Sequence, residues 1–292
     1  MMAFRIIVLA KQVPDTRNVG EDAMTSDGTV NRAALPAIYN PEDLNALEQA
    51  LLIKDKYADT EIIILTMGPP RAADIIRESM FRDADSGYLV TDKRFAGADT
   101  LATSYVISKA VEKIGNYDLI LSGRQAIDGD TAQVGPQTAE KLKLPQITYA
   151  EEIIDIKKDK VTVKRRLERG VEVVESSLPA LITVHSSAEK CRPKNAKLYM
   201  KYKHAKTPTE LQTIADDYLN QSVRNKDYLQ IEELSVDDLK CDIQKIGLAG
   251  SPTKVKKIDN VVLQSKDSKV IRDNDTEIRQ LMQDLITNHT LG

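Results

Sequence analysis

The feature that most constrains the fold is an alternation of short apolar runs with longer segments of helical periodicity. The runs FRIIVLA (residues 4–10), EIIILTMGPP (61–70) and YDLILS (117–122) begin with continuous apolar stretches, which is typical of strands buried on both faces of a parallel sheet. Helical patterns such as NPEDLNALEQALLIKDKY (40–57) separate them. This alternation predicts right-handed βαβ units, and hence an α/β fold with a mostly parallel sheet and helices on both faces.

The second half of the chain follows a different pattern. Period-2 alternation in KVTVKRR and VEVVES, on either side of Gly170, predicts an antiparallel hairpin added to the sheet. Beyond His185 the regularity fades, although DTEIRQLMQDLITNHT (275–290) predicts a closing amphipathic helix. We therefore divide the chain into residues 1–190, 191–240 and 241–292. The last hundred residues have little core of their own, so they should pack on a partner subunit or back on their own domain.

Composition excludes several classes of function. The net charge is −3 and only 4% of the residues are aromatic, so neither a basic field nor a base-stacking surface for nucleic acid is expected. Cys191 and Cys241 lack metal-type spacing, and the three histidines accompany no nucleophile, so we expect no metal site and no hydrolytic triad. No signal peptide or membrane-spanning run is present. A cytoplasmic protein without membrane insertion is expected.

Polar and glycine-rich segments follow each predicted parallel strand. Ligands of open parallel sheets bind outside the carboxyl ends of the strands, so these segments are the candidate site. Residues 11–15 and 67–70 follow the runs at 4–10 and 61–70, residues 94–100 follow a further predicted strand, SGYLVTD (86–92), and SGRQAIDGDTAQVGP (122–136) follows YDLILS, the fourth strand. The fourth segment is richer in glycine, charge and amide side chains than a turn requires.

The segment SGRQAIDGDTAQVGP has the features of an anion site. Asp130 and Gln133 have capping-box spacing, which predicts a helix that begins at Thr131, with free N–H groups facing the cleft. Gly123 and Gly129 would allow close backbone approach or positive φ. A well-capped helix with no ligand is the alternative. The chain has neither GxGxxG after its first strand nor GxxxxGK[ST], so a standard dinucleotide fold or P-loop is not expected.

Four motifs together resemble the β subunit of electron transfer flavoproteins: LAKQVPDT, NPEDLNALEQAL, TMGPP and GRQAIDGDTAQVGP. The resemblance implies a Rossmann-like, adenine-nucleotide-binding α/β domain over residues 1–190, paired with an α subunit that carries a mobile FAD. It also implies that residues 241–292 are an arm packing on that subunit. The positions that match the family's nucleotide contacts are Leu9, Lys11, Asn40, Met67, Gly123, Arg124, Gln125, Ala126, Asp128, Gly129, Asp130, Thr131, Ala132, Gln133 and Val134.

The resemblance leaves two ligands open. Simple members of the family hold AMP as a structural nucleotide. Electron-bifurcating members hold a second FAD, accept hydride from NADH, and pass one electron to a low-potential acceptor such as ferredoxin and the other through the α-subunit FAD. The segment FAGADTLATS (95–104), with Asp99, Thr100 and Thr103 at a second helix start, resembles the bifurcating branch, as does Arg124 in place of a lysine. FAD is therefore predicted, with Arg124 tuning the flavin.

The segment after Cys191 corresponds to the family's partner-recognition loop, within residues 191–240. It reads CRPKNAKLYMKYKHAK and lacks the leucine-proline pair associated with docking acyl-CoA dehydrogenases. The expected partner is an acyl-CoA dehydrogenase or a membrane-associated quinone reductase. The predicted docking residues are Arg192, Lys194, Ala196, Leu198, Tyr199 and Met200.

Overall fold

The computed structural model describes residues 3–15, 36–213, 217–253 and 270–287, without the side chains of 217–219. The chain forms two compact units, Met1–Lys256 and Lys257–Gly292. In the second unit, α8 (Asp275–Thr287) confirms the predicted closing helix, and Ile278, Met282 and Ile286 recur along one of its faces. The predicted residues 288–290 of that helix, and residues 254–269 of the predicted arm, lie outside the described residues.

The first unit contains the remaining described elements. Its strands are β1 (Arg5–Leu9), β2 (Gln12–Pro14), β3 (Ala37–Tyr39), β4 (Glu61–Met67), β5 (Ser86–Val90), β6 (Leu119–Gly123), β7 (Gln146–Ile156), β8 (Lys160–Leu167), β9 (Gly170–Ser177), β10 (Ala180–Val184) and β11 (Glu232–Leu234). Its helices are α1 (Pro41–Lys56), α2 (Ala73–Met80), α3 (Thr100–Ile114), α4 (Val134–Leu142), α5 (Ala196–Tyr202), α6 (Pro208–Thr213) and α7 (Asp217–Arg224). Among the described helices of the chain, none is long and apolar enough to cross a membrane.

The main sheet confirms the predicted architecture. Its order is β11-β5-β4-β1-β6-β10-β7-β8-β9. Pairing is parallel from β11 to β7 and antiparallel from β7 to β9, as the alternating pattern predicted for the hairpin. From β1 the chain proceeds outward through β4 and β5, and then returns to place β6 on the other side of β1. This reversal opens a crevice between the carboxyl ends of β1 and β6, where such sheets bind ligands.

Helices cover both faces of the parallel strands. On one face Ile6 and Ile64 pack with Leu47 of α1 and Ile76 of α2, and all four side chains are fully buried. On the other face the strands pack against α3 and α4, for example through Val106. Each buried aliphatic side chain of this kind contributes about 1.5–3 kcal/mol to folding. The core therefore holds the strand ends in a rigid frame.

The segment after residue 190 packs on the same sheet. Tyr202, Leu229 and Ile231 join the core on one face, whereas Leu234 and Val236 join the core on the other face. The strand β11 pairs in parallel with β5 and so extends the sheet between these two groups. Over residues 191–213 and 217–253, packing back on the domain is therefore what the structure shows.

The two helix starts near the crevice differ in how well the sequence predicted them. The cap at Asp99 is confirmed, because its side chain accepts hydrogen bonds from the N–H groups of Leu101 and Ala102. The predicted start at Thr131 is wrong, since α4 begins at Val134. Asp130 and Ala132 have positive φ values of 49° and 52°, and a right-handed helix cannot include such residues.

Candidate functional site

A cavity of about 760 Å³ lies at the carboxyl ends of β1, β4, β5 and β6. Its walls include the β5–α3 loop (residues 91–99) and the β6–α4 loop (residues 124–133). The predicted nucleotide-binding residues that line it are Leu9, Lys11, Met67, Asp99, Thr100, Thr103, Gly123, Arg124, Gln125, Ala126, Asp128, Gly129, Asp130, Thr131, Ala132, Gln133 and Val134. The fold therefore brings together residues from four separate segments of the sequence.

Asn40 supports the cavity wall from behind. It precedes α1 as predicted, but its side chain makes no helix-capping bond. Instead its amide donates to the carbonyl oxygen of Gln125 (2.9 Å) and accepts from the N–H of Ile127 (3.2 Å). Asn40 is fully buried, so it holds the β6–α4 loop in place.

Asp43 lines the cavity and was not predicted from the sequence as a site residue. Its carboxylate accepts hydrogen bonds from the N–H groups of Lys11 (2.8 Å) and Gly123 (2.9 Å), which follow β1 and end β6. Burial raises the pKa of Asp43 to about 7, although these two bonds favour the charged form. An acidic residue in the first turn of a helix is already explained by the helix dipole, so the sequence alone does not single out Asp43. Its longer-range role depends on the crevice.

Arg124 is held by a carboxylate next to the cavity. Its Nη2 lies 2.9 Å from Oε1 of Glu42, whose side chain also accepts from the N–H of Gln125 (3.0 Å). Glu42 raises the pKa of Arg124 despite the opposing effect of burial. Because the pair is partly buried, Glu42 offsets much of the positive charge that Arg124 would present to a ligand.

The β6–α4 loop presents main-chain donors to the cavity. The N–H groups of residues 131–135 donate to no described residue, and Pro136 has no N–H. The buried Oγ of Ser122, on the cavity wall, also lacks a hydrogen-bond partner among the described residues. The unpaired N–H groups at the start of α4, with the Ser122 hydroxyl beside them, are suited to hold an anionic group such as a phosphate.

The start of α3, on the opposite side of the cavity, has fewer free donors. Asp99 already caps the N–H groups of its first turn and also accepts a hydrogen bond from the hydroxyl of Thr253 (2.7 Å). Thr100 donates through its hydroxyl to Gln133 (2.9 Å), so the two helix starts are joined. This side therefore offers a ligand the hydroxyl of Thr103, and that of Thr100 as an acceptor, instead of main-chain N–H groups.

Comparisons with known proteins identify the family. Residues 27–209 match the model of the electron transfer flavoprotein domain. An electron transfer flavoprotein subunit beta from Thermoanaerobacterium thermosaccharolyticum is 43% identical over 86% of this chain and 85% of its own length. The chain belongs to the electron transfer flavoprotein β-subunit family. It therefore functions in electron transfer, and its family implies an α-subunit partner and a flavin or AMP as the bound nucleotide.

Two other relatives are subunits of reductase complexes. The caffeyl-CoA reductase-Etf complex subunit CarD from Acetobacterium woodii is 52% identical over 61% of this chain and 67% of its own length. The acryloyl-CoA reductase electron transfer subunit gamma from Anaerotignum propionicum is 43% identical over 92% of this chain and 96% of its own length. Two proteins similar to this chain are thus named as subunits that work with CoA-ester reductases.

The structure fits an adenine nucleotide at the cavity. The unpaired donors of residues 131–135 suit a phosphate, and apolar side chains at the strand ends, including Leu9, Leu65 and Val90, suit a planar base. The residues that would hold the nucleotide come from all four strand ends. This arrangement supports the predicted site.

The predicted docking residues surround α5, a helix that the sequence pattern did not predict. Asn195 caps it by accepting from the N–H groups of Lys197 (2.8 Å) and Leu198 (3.3 Å). Arg192 is engaged by Glu48 (2.8 Å) and Asp55, which attach this segment to α1. Leu198 packs against the core. The predicted docking residues that remain exposed are Lys194, Ala196, Tyr199 and Met200.

Proposed function

We propose that the cavity binds FAD and that this β subunit takes part in electron bifurcation from NADH. The observation that carries the proposal is the extent of the cavity, which continues from the β6–α4 loop to the β5–α3 loop. A volume of about 760 Å³ lies in the upper part of the usual range for ligand pockets, about 300–1,000 Å³. An adenylate held at the start of α4 would leave the part of the cavity beside the β5–α3 loop without a ligand group.

The proposed roles of the residues follow from their positions. The N–H groups of residues 131–135 bind phosphate, and the hydroxyls of Thr100 and Thr103 contact the part of the ligand on the α3 side. Asp43 and Asn40 hold the surrounding backbone in place. The bound flavin would supply hydride acceptance from NADH and separation of the two electrons toward ferredoxin and the α-subunit FAD.

Arg124 has a narrower role in this proposal than its charge alone suggests. Glu42 occupies its Nη2 and lies near its Nε, at 3.3 Å. Glu42 does not bind its Nη1, which therefore remains available as a donor toward the cavity. We therefore infer that Arg124 acts on the flavin by hydrogen bonding and position more than by a net positive field.

Anaerobic titration of the purified heterodimer with NADH tests this function. We expect loss of the visible flavin absorbance on addition of stoichiometric NADH, and an Arg124→Gln variant to need more NADH for the same loss. A matched titration with NADPH measures selectivity for the donor. If NADH leaves the absorbance of a complex containing FAD unchanged, hydride acceptance at this subunit is excluded.

AMP as a structural nucleotide is the second candidate. The observation in its favour is the cap at Asp99, which uses the first-turn donors of α3 and places a carboxylate on that side of the cavity. Of the two helix starts, that of α4 alone then presents main-chain N–H groups to phosphate, which is enough for a mononucleotide.

We propose a CoA-ester dehydrogenase or reductase as the electron-exchange partner, in preference to a quinone reductase. The names of two similar proteins, which are subunits of CoA-ester reductase complexes, support this choice. The exposed docking residues Tyr199 and Met200 would form the apolar part of the contact, and Lys194 its charged part. Reduction of a purified acyl-CoA dehydrogenase by the heterodimer would test it, and reduction of a quinone reductase alone would contradict it.

A further inference from the structure

Tyr149 occupies an irregular position in β7 that the packing of the core does not require. The pairing of β7 with β10 shifts register between Ile147 and Ala150, which leaves an extra residue in β7. Tyr149 lies in this bulge with φ 60°, a conformation that is rare for a bulky side chain. Its side chain is 38% exposed, so burial in the core does not account for the strain. Such strain is commonly found beside functional sites.

The bulge places the Tyr149 ring against the guanidinium of Arg124. The Cζ of Arg124 lies 5.6 Å from the ring centroid, within the range of a cation–π contact. Glu42 binds the same guanidinium by hydrogen bonds. Arg124 is thus held by a carboxylate and an aromatic ring, and it lines the cavity while Tyr149 does not.

The Tyr149 ring is in turn supported by His185, which follows β10. The two rings are stacked with centroids 5.8 Å apart. Nδ1 of His185 accepts from the N–H of Ser187 (3.1 Å), and the hydroxyl of Ser187 donates to Glu151 (2.6 Å). Burial, and secondarily Arg124, lower the pKa of His185, which favours a neutral ring beside the cation. These contacts connect His185, at the end of β10, through the Tyr149 ring to the guanidinium of Arg124.

We propose that Tyr149 is a positioning residue that acts through Arg124, and that the bulge in β7 exists to hold the guanidinium at the cavity wall against the bound nucleotide. The inference rests on the proposed nucleotide site, and it adds to that site a supporting residue that does not line the cavity. The ring is what matters most, because it lies within cation–π range of Arg124, whereas the Tyr149 hydroxyl adds only a smaller contribution than Glu42 to the raised pKa of Arg124. Tyr149→Phe should therefore preserve the function, whereas Tyr149→Leu should impair it.

A double-mutant cycle tests the proposal. The full-length wild-type chain, Tyr149→Leu, Tyr149→Phe, Arg124→Gln and the double variant Tyr149→Leu/Arg124→Gln are titrated calorimetrically with FAD and, separately, with AMP. We expect Tyr149→Leu to weaken binding about threefold to tenfold, as for loss of a partly buried cation–π contact. Tyr149→Phe should stay within about twofold of wild type. In the Arg124→Gln background, Tyr149→Leu should have no further effect, since its influence passes through Arg124.

Two outcomes would overturn the proposal. One is unchanged binding in Tyr149→Leu, and the other is a loss in the double variant equal to the sum of the two single losses in free energy. Thermal unfolding of each variant shows whether a loss of binding comes from unfolding, and the Tyr149→Phe rescue separates the ring from general damage. If the wild type binds AMP but not FAD, the proposed FAD function fails, whereas the same cycle measured with AMP still decides the role of Tyr149.

Discussion

Gly123 lies so close to the start of α1 that this position at the crevice requires a glycine. A Cβ built on Gly123 would lie 2.5 Å from Oδ1 of Asp43 and 2.7 Å from the carbonyl carbon of Glu42. Glycine is required here because two backbones meet, and not because φ is positive. Gly129, in the same motif, has open space around it and an ordinary φ.

These two glycines give a matched pair of variants. Gly123→Ala should destabilise the chain by about 1–3 kcal/mol, since the α1 backbone must move to admit the methyl group. Gly129→Ala should change the stability by less than about 1 kcal/mol, in either direction. Urea denaturation of both variants measures the difference. Equal stability of the two would contradict the close approach of β6 and α1.

Asp43 predicts a pH dependence of stability. Its folded-state pKa of about 7 lies above the ordinary value of 3.8, so between these values the folded chain holds a proton that the unfolded chain releases. The contribution of Asp43 to stability therefore falls as pH rises through this window, by at most about 1.4 kcal/mol per pH unit. Asp43→Asn should remove this slope.

Urea unfolding of the wild type and Asp43→Asn at pH 5, 6 and 7 measures the slope as the difference between the two proteins. The variant is expected to be less stable at every pH, because an amide oxygen and an NH₂ group cannot both accept from Lys11 and Gly123. Asp59→Asn, at an exposed position, is the control. A difference that stays constant with pH would show that Asp43 is ionised throughout.

At the scale of elements, the sequence was informative where the determinants are local. Asp99 caps α3 through its own nearest N–H groups, and the sequence predicted this helix start correctly. The same reasoning failed for α4, because Gln125 binds the Asp130 side chain (2.8 Å) and Asp130 itself has positive φ. A capping box is a short-range pattern, whereas this loop takes its shape from Asn40 and Glu42, more than eighty residues earlier.

The helix α5 is the element on which partner docking can be tested. Met200, which is 61% exposed, should lie in the contact with the partner dehydrogenase. We expect Met200→Glu to lower electron transfer at limiting partner concentration by about fivefold to thirtyfold, the cost of an interface hot spot of about 1–2 kcal/mol. NADH-dependent flavin reduction should not change, because Met200 does not line the cavity.

Ile243→Glu is the control for this experiment. Ile243 is similarly exposed (53%) but follows β11, outside the predicted docking segment. Kinetics with a purified acyl-CoA dehydrogenase measure both variants. Equal losses in the two would indicate a general effect of added negative charge and would contradict docking at α5.

At the scale of the whole molecule, the sequence predicted the layers of the fold but not how the chain after residue 190 completes them. Buried runs such as residues 61–67 identify parallel strands by themselves. The three-residue strand β11 has no such signal, because its pairing with β5 depends on tertiary packing of Leu234 and Val236. The sequence identified the cavity-lining loops because they directly follow the strands. It missed Asp43 because the contacts of Asp43 require the assembled crevice, and it missed Tyr149 because the role proposed for Tyr149 requires the bulge.

The cavity of this β subunit is proposed to hold FAD, and the nucleotides released from the intact heterodimer test that proposal against AMP. Acid extraction followed by mass spectrometry and quantification against protein gives the identity and the amount of each nucleotide. We predict a second FAD for each heterodimer, in addition to that of the α subunit, and no stoichiometric AMP. A single FAD together with one AMP would contradict it.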